Sequence, residues 1–456
     1  MSFFAVKPFI LLSDGLIFAL VLSLILFFYQ LHKNPLSRAR WQAVFHTPIG
    51  LSAFTVIVFY VFIALLDSLH YQEPLPVSEG QTQVQYSQNV QSVLDAILVG
   101  LHQNNEKTYS APFALHSFAK ENRQDENGQL YRDYPRLTAK ATHIHNEQEK
   151  QQDILSLSIS ALLKAGLFCA LLIALHLGWR RGKAQSQVPW WSFYLTVSLL
   201  VVASTWALKL SEFYHVAGTN IVGQDVLYLS IKAIRTGVLI GTLATLITLP
   251  IAIVLGISAG YFKGWVDDAV QYIYTTLSSI PGILLIAASV LLIDVYIQTH
   301  PDDFPLNIQR ADFKFLALCF ILGMTSWTGL CRLLRAETLK VSQLDYVQAA
   351  QAFGVSPMRI IFRHILPNTF HIILISLVLD FSGFVLAEAV LSYVGVGVDA
   401  SMSSWGNMIN DARAELSREP VVWWTVLSAF SLMFVLVLAA NLFSDRVRDA
   451  FDPRFK

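Results

Sequence analysis

The stretch DYVQAAQAFGVSPMRIIFRHILPN, residues 345–368, is polar and weakly basic, and it stands between two long apolar runs. Its local grammar is that of two short helices. Leu344, Val347, Ala350 and Gln351 fall on one helical face, and Ala349, Ala350 and Ala352 favour helix. Gly354 is placed to end the first helix, as glycine does at the first position beyond a helix. Ser356 is the expected N-cap of the second, with Pro357 at its first position, where a missing N–H costs nothing. That helix carries Ile360, Ile361 and Ile365 on one side and Arg359 and Arg363 on another, and Pro367 marks the boundary with the next apolar run.

The surroundings decide how this hairpin is read. The chain has 456 residues, 54% hydrophobic and 14% charged. Its mean hydropathy is +0.50. A soluble chain carries charge on about a quarter of its residues. Here the apolar residues gather into nearly uncharged runs of about 20, the length that crosses a bilayer. The expected fold class is therefore an all-α polytopic membrane protein. Nine spans are read, at about 9–30, 50–67, 154–178, 191–209, 235–258, 269–293, 314–334, 369–392 and 422–443. No cleavable leader is expected, because the first run is long and no small-residue cleavage site follows it. A net charge of zero gives no sign of a nucleic-acid partner. Cys169, Cys319 and Cys331 all lie in apolar runs without metal-ligand spacing and read as small buried hydrophobes.

Lys and Arg in the short loops set the expected orientation. One alternate set holds Lys33, Arg38, Arg40, Arg180, Arg181, Lys183, Lys263, Arg335, Lys340, Arg359, Arg363, Arg446, Arg448, Arg454 and Lys456. The other holds chiefly Lys209, Lys232, Arg310, Arg413 and Arg418. The bias puts 345–368 and the C-terminus in the cytoplasm and the N-terminus outside. The long segment 68–153 then lies outside as well. It is rich in Gln, Asn and charge, with one short amphipathic run, VQSVLDAILVGLH, and reads as a partly ordered insertion or a docking surface. Residues 179–190 read as a linker between the first three spans and the last six.

A bilayer crossing needs no such cytoplasmic hairpin. Two readings fit its spacing: a rigid knob docking into a soluble partner, or an amphipathic pair lying on membrane lipid. Gln348, Ala349, Ala350, Gly354, Leu366 and Pro367 resemble the EAA loop of ABC-importer permeases, with Gln348 where that loop usually has Glu. The segment HVAGTNIVGQDVL, 215–227, is similar to the H-P-x-G-T-D-x-x-G-R-D-V segment of the C-type subunits of dipeptide/oligopeptide permeases. His215, Gly218, Thr219, Gly223, Asp225 and Val226 match, whereas Val216, Asn220 and Gln224 depart. GISAGYFKGWVDD (256–268), SSIPGILL (278–285), LAEAVLSYVGVGV (386–398), SSWGNMI (403–409) and DRVRDAFDPR (445–454) also resemble that family, in the same order.

The resemblance covers about 191–456 and implies an organisation. Residues 1–67 would be two added helices, 68–153 an extracytoplasmic insertion, and 154–190 a third added helix with its linker. Residues 191–456 would be an ABC importer permease core with a cytoplasmic coupling loop at 337–367. Its coupling residues would be Tyr346, Gln348, Ala349, Ala350, Gly354, Pro357, Leu366 and Pro367. The implied partners are a second permease subunit, two ABC ATPase subunits, an extracytoplasmic substrate-binding protein and membrane lipid. The implied location is a bacterial inner membrane, and the implied cargo is di- or oligopeptides.

Other sequence signals fit a permease that carries no chemistry of its own. There is no G-x-x-x-x-G-K-[ST] loop, so ATP would be bound by partner subunits and no cofactor by this chain. No catalytic constellation is present. Asp380 and Glu388 lie inside the eighth span, about 80° apart around the helix; they are candidates for the pathway or the subunit interface, and a hydrogen bond from Asp380 to a neighbouring span is the equal alternative. Lys164 reads as a snorkelling lysine. Gly237/Gly241 and Gly256/Gly260 are spaced for close helix packing, and Thr242, Thr245 and Thr248 for bonds to backbone carbonyls. The competing readings are a standalone channel or secondary transporter, or a receptor sensing through 68–153.

Overall fold

The structure is a computed structural model that describes residues 6–33, 35–75, 85–124, 130–144, 146–180 and 188–451. Arg181, Lys183, Arg454, Lys456, most of the linker at 179–190 and the end of the DRVRDAFDPR tail lie outside the described residues. The elements follow in chain order. The N-terminal part gives β1 (Lys7–Phe9), α1 (Leu12–Lys33), α2 (Pro35–Phe45) and α3 (Pro48–Asp67). The insertion holds β2 (His70–Pro74), β3 (Tyr86–Ser92), α4 (Val93–Ile97), α5 (Val99–His102), β4 (Glu121–Gln124) and β5 (Leu130–Asp133). Then come α6 (Glu147–Arg180), α7 (Trp190–Ser211), α8 (Val226–Phe262), α9 (Gly264–Ser279), α10 (Gly282–Thr299), α11 (Asn307–Ser326) and α12 (Thr328–Val341). The rest is α13 (Asp345–Ala352), α14 (Pro357–Ile360), α15 (Leu366–Tyr393), α16 (Trp405–Ala412) and α17 (Trp424–Phe451).

Among the described residues eight helical stretches are long and apolar enough to cross a membrane, and Leu12–Leu26 is a shorter apolar ninth. The all-α polytopic class agrees with the sequence, and eight of the nine spans read there are long and apolar enough to cross among the described residues. Several boundaries differ: the third stretch is Glu147–Arg180, the fifth Val226–Phe262 and the ninth Trp424–Phe451, and three others change more in kind. The sixth span does not begin at 269, because the chain breaks at Ile280–Pro281. Ile280 is extended (φ −91°, ψ 131°), as a residue before proline prefers to be, and α10 starts afresh at Gly282. Residues 264–279 form a separate helix, pinned by Asp267 to Arg335 at 2.5 and 2.6 Å. The seventh stretch runs from Asn307 to Val341 and the eighth from Pro357 to Tyr393, both longer than read.

The chain divides into two compact units. Unit 1 comprises Met1–Phe18, Phe45–Thr236 and Ser403–Leu436. Its sheet has the order β1-β2-β3, antiparallel throughout, with Lys7 opposite Gln72 and Tyr71 opposite Gln91. The described residues of the insertion thus form a sheet with a strand from the N-terminal part. Ser92 ends β3 and caps α4 in a reciprocal capping box with Asp95. Leu94, Leu98, Leu101 and Tyr228 make one core; Leu115, Ala141, Ile144 and Tyr214 make another.

Unit 2 comprises Ala19–Val44, Gly237–Met402 and Val437–Lys456. Within it the expected close packing is present at Gly241, Gly256 and Gly260. A Cβ on Gly241 would lie 2.6 Å from the Phe381 ring, and one on Gly256 or Gly260 would lie 2.7 Å from the backbone oxygen of Cys331 or Arg335. Backbone-to-backbone approach of this kind leaves no room for a side chain. Thr242, Thr245 and Thr248 donate to the carbonyls of Val238, Gly241 and Ala244, as read, and Thr248 also reaches Gly323 O at 3.1 Å. Cys169, Cys319 and Cys331 are free and buried.

Candidate functional site

The hairpin of 345–368 is built on a buried floor. Val347, Ile360 and Ile365 are fully buried and pack with Ile257, Val341 and Ile361. Of the face read on the first helix, Val347 is buried and Ala350 half-buried, while Leu344 and Gln351 point outward. The turn after α13 is a Schellman motif. Gly354 has φ +73°, its N–H bonds to Gln351 O at 3.0 Å, and Val355 N–H bonds to Ala350 O at 3.1 Å. Ser356 occupies the N-cap position, but its side chain makes no capping bond.

Pro367 is not a boundary. The helix runs through it into α15, because Ile361–Ile365 forms one π-helical turn in which Leu366 N–H bonds to Ile361 O. Such a turn re-sorts the carbonyls just before a residue with no N–H to give, and π turns recur at functional sites. The hairpin is therefore one short helix and the overhanging end of a 37-residue rod, rather than two free helices. Asn368 Nδ2 donates to Tyr346 Oη at 3.0 Å, tying α13 to the rod.

Above the floor the hairpin shows its apolar side outward. Phe353 is 88% exposed, Phe362 66% and Met358 62%. Ala349, Pro357, Pro367, Arg359 and Arg363 are exposed beside them, and Leu366 is half-buried. Gln348 is exposed too, and its Nε2 donates to Gln343 O at 3.2 Å. A carboxylate at that place could only repel the carbonyl, so Gln348 braces the start of α13 in a way Glu cannot.

The second motif, 215–226, folds into a knot inside unit 1. Thr219 pairs with Asp225 in an antiparallel bridge, and Gly218 (φ +70°) and Gly223 (φ +78°) supply the left-handed positions. The Asp225 carboxylate does three things. Its Oδ1 caps α8 by accepting from Leu227 N at 3.0 Å; its Oδ2 lies 2.8 Å from His215 Nδ1 and 3.2 Å from Lys140 Nζ. Thr219 Oγ1 accepts from Ser110 N at 2.6 Å and donates to Thr108 O at 2.9 Å. Glu106 accepts from Thr138 N, Thr138 Oγ1, Ala139 N and Lys140 N, and its own N–H reaches Gly223 O at 2.9 Å. His215 Nε2 stands 3.9 Å from Glu106 Oε1. Burial opposes ionisation of Glu106, but His215 and the N–H groups of Thr138 and Ala139 outweigh it and hold its carboxyl at about 2. Burial lowers the Lys140 pKa, against the pull of Asp225.

His215, Gly218, Thr219, Gly223 and Asp225 thus come together, in contact with the insertion. They fasten residues 106–140 to the start of α8. The next turns of α8 carry two further anchors that sequence reading missed. Lys232 Nζ lies 2.8 Å from Asp95 and 3.4 Å from Asp67, and Tyr228 Oη donates to Asp95 at 2.7 Å. Arg235 meets Asp14 at 2.6 Å and donates to Ser13 and Ser68. Charges of opposite sign inside two apolar runs, Asp14 and Arg235, were the available signal.

Asp380 and Glu388 are not brought together. Glu388 is 2% exposed, and Ser392 Oγ donates to it at 2.7 Å. Asp380 is half-buried, and its Oδ2 is shielded with no hydrogen-bond partner. Among the described residues no group of His, Cys, Asp and Glu is arranged to hold a metal ion.

With this geometry in view, the similarities are specific. The sequence profile of the family described as binding-protein-dependent transport system inner membrane component matches residues 252–456. The oligopeptide transport system permease protein OppC of Mycobacterium bovis is 31% identical over 239 residues, 52% of this chain and 76% of that protein. The glutathione transport system permease protein GsiD of Pectobacterium atrosepticum is 30% identical, over 53% and 73%. The dipeptide transport system permease protein DppC of Alkalihalophilus pseudofirmus is 31% identical, over 53% and 73%. An inward-facing structure of the MetNI methionine ABC transporter aligns with 49% of this chain and 97% of its own, at a TM-score of 0.38 and 14% identity.

Proposed function

The chain belongs to the binding-protein-dependent transport inner-membrane components, among the C-type subunits of the peptide permeases, and from that premise we propose that it passes di- or oligopeptides across the membrane under the drive of separate ATPase subunits. It is a multi-pass protein of the inner membrane. Its partners would be a second permease subunit, two ABC ATPases that bind the ATP, and an extracytoplasmic substrate-binding protein; the chain itself would bind no cofactor. The loop charges support a cytoplasmic C-terminus and an N-terminus and insertion outside.

One observation carries the coupling role. Phe353, Met358 and Phe362 stand uncovered on a knob whose floor is fully packed. A surface that is rigid below and apolar above is suited to fill a groove on a soluble partner. Because α14, the π turn and α15 form one helix, a push on the knob is delivered along a rod that crosses the bilayer. Tyr346 and Asn368 keep the first helix from swinging free of that rod.

The test is Gly354→Val against Gly354→Asn in the assembled transporter. No atom lies within 4 Å of a Cβ at 354, so only the positive φ is at stake, and Asn tolerates it where Val does not. The Val variant is expected to lose transport per ATP hydrolysed, and the Asn variant to keep it. Normal transport and ATPase activity in Gly354→Val would refute the coupling role.

A further inference from the structure

We propose that Asp380 is the cation-selecting group of the translocation pathway, receiving an ammonium group of the passing substrate near the bilayer centre. This rests on the permease reading above and names what that pathway prefers.

Asp380 stands near the middle of Leu366–Tyr393, about 20 Å from either end at 1.5 Å per residue. A side chain this short cannot reach either water interface. Five other carboxylates have a cation: Asp14 has Arg235, Asp95 has Lys232, Asp225 has Lys140, Asp267 has Arg335 and Asp294 has Lys314; Glu388, on the same helix, has the Ser392 hydroxyl. Asp380 has neither cation nor donor among the described residues, and its Oδ2 is shielded.

The surface beside it is open. Leu379, Leu386 and Val390 are left uncovered by the rest of the chain. Gly383, one turn from Asp380, is exposed, and a Cβ there would meet no atom within 4 Å. The result is an apolar face with a notch and one unpaired carboxylate at its edge. An unpaired charge at that depth is costly, and residues of this kind mark substrate and ion paths. A lysine side chain or peptide amino terminus supplies the missing charge as it passes. A single carboxylate is enough to favour it and too little to hold it.

The experiment uses the complete transporter in liposomes, with second permease, ATPases and binding protein, at saturating binding protein. The probes are alanyl-lysyl-alanine, alanyl-glutamyl-alanine and trialanine. Asp380→Asn is expected to lower uptake of the lysyl peptide relative to the glutamyl peptide by about tenfold. Asp380→Glu is expected to restore most of that ratio. An unchanged ratio in Asp380→Asn overturns the proposal and makes Asp380 a packed, neutral acid. Equal loss for all three peptides, with loss of the second permease on purification, overturns it too and assigns Asp380 to a subunit contact. If the unaltered transporter takes up none of the three with ATP, the peptide reading fails, and that result is distinct from either.

Discussion

Glu106 shows how far a single side chain can decide a local fold. Its carboxyl sits at about 2 in the folded chain, against 4.5 when free. Between those values the unfolded segment binds a proton that the folded one refuses. Stability is therefore present above pH 4.5 and falls as pH drops toward 2. Hydrogen-exchange protection of the Thr138 and Ala139 amides is expected to fall across that window, and Glu106→Gln to weaken it already at pH 7. Protection indifferent to both would mean that Glu106 does not hold the knot. Gly223 is a sharper case. A Cβ there would lie 1.8 Å from the Glu106 carbonyl oxygen, at φ +78°. Gly223→Ala is expected to cost about 2–4 kcal/mol, read as a lower unfolding temperature in detergent. Lys140→Met removes the lysine paired with the buried Asp225 and leaves His215 as its remaining ion-pair partner, and about 3–5 kcal/mol is the expected loss. The residue types of this motif were legible in the sequence. Their partners were not, because Glu106 and Lys140 come from a polar segment with no periodicity to place them.

At the scale of elements, the hairpin was legible where chemistry is local. Gly354 and the Ile360/Ile361/Ile365 side follow from turn and helix rules, and both are as read. Pro367 misled, because a proline is a helix boundary only when nothing upstream absorbs its missing N–H, and the π turn does so. The strands of the insertion were hidden for another reason. The sequence of β3, YSQNVQS, is mostly polar, and its partner strands are short. The floor and the knob of the hairpin should separate in experiment. Val347→Ala opens a fully buried site and is expected to destabilise by about 1–3 kcal/mol. Phe353→Asp touches a side chain that is 88% exposed, so the melting temperature should hold while ATPase subunits are lost on purification. If Phe353→Asp retains them, the docking face lies elsewhere.

At the scale of the whole molecule, the apolar runs were legible because a bilayer demands length and composition, and both show without homologues. What could not be read was the tie of Asp67, Asp95 and Lys140 to the start of α8. Long-range pairs whose carboxylates or cations sit in polar segments leave no local trace. Orientation is open to a direct check. Asn122 is exposed in the insertion, and all three native cysteines are buried, so Asn122→Cys gives a clean label. A membrane-impermeant maleimide is expected to reach it in spheroplasts; protection there, with labelling after lysis, would invert the topology. The central claim is that this chain conducts substrate only as part of an ATP-driven assembly, and uptake of trialanine into proteoliposomes tests it most directly. Uptake is expected to need the second permease, the ATPases, the binding protein and ATP together. Uptake by the purified chain alone, driven by an ion gradient, would contradict it.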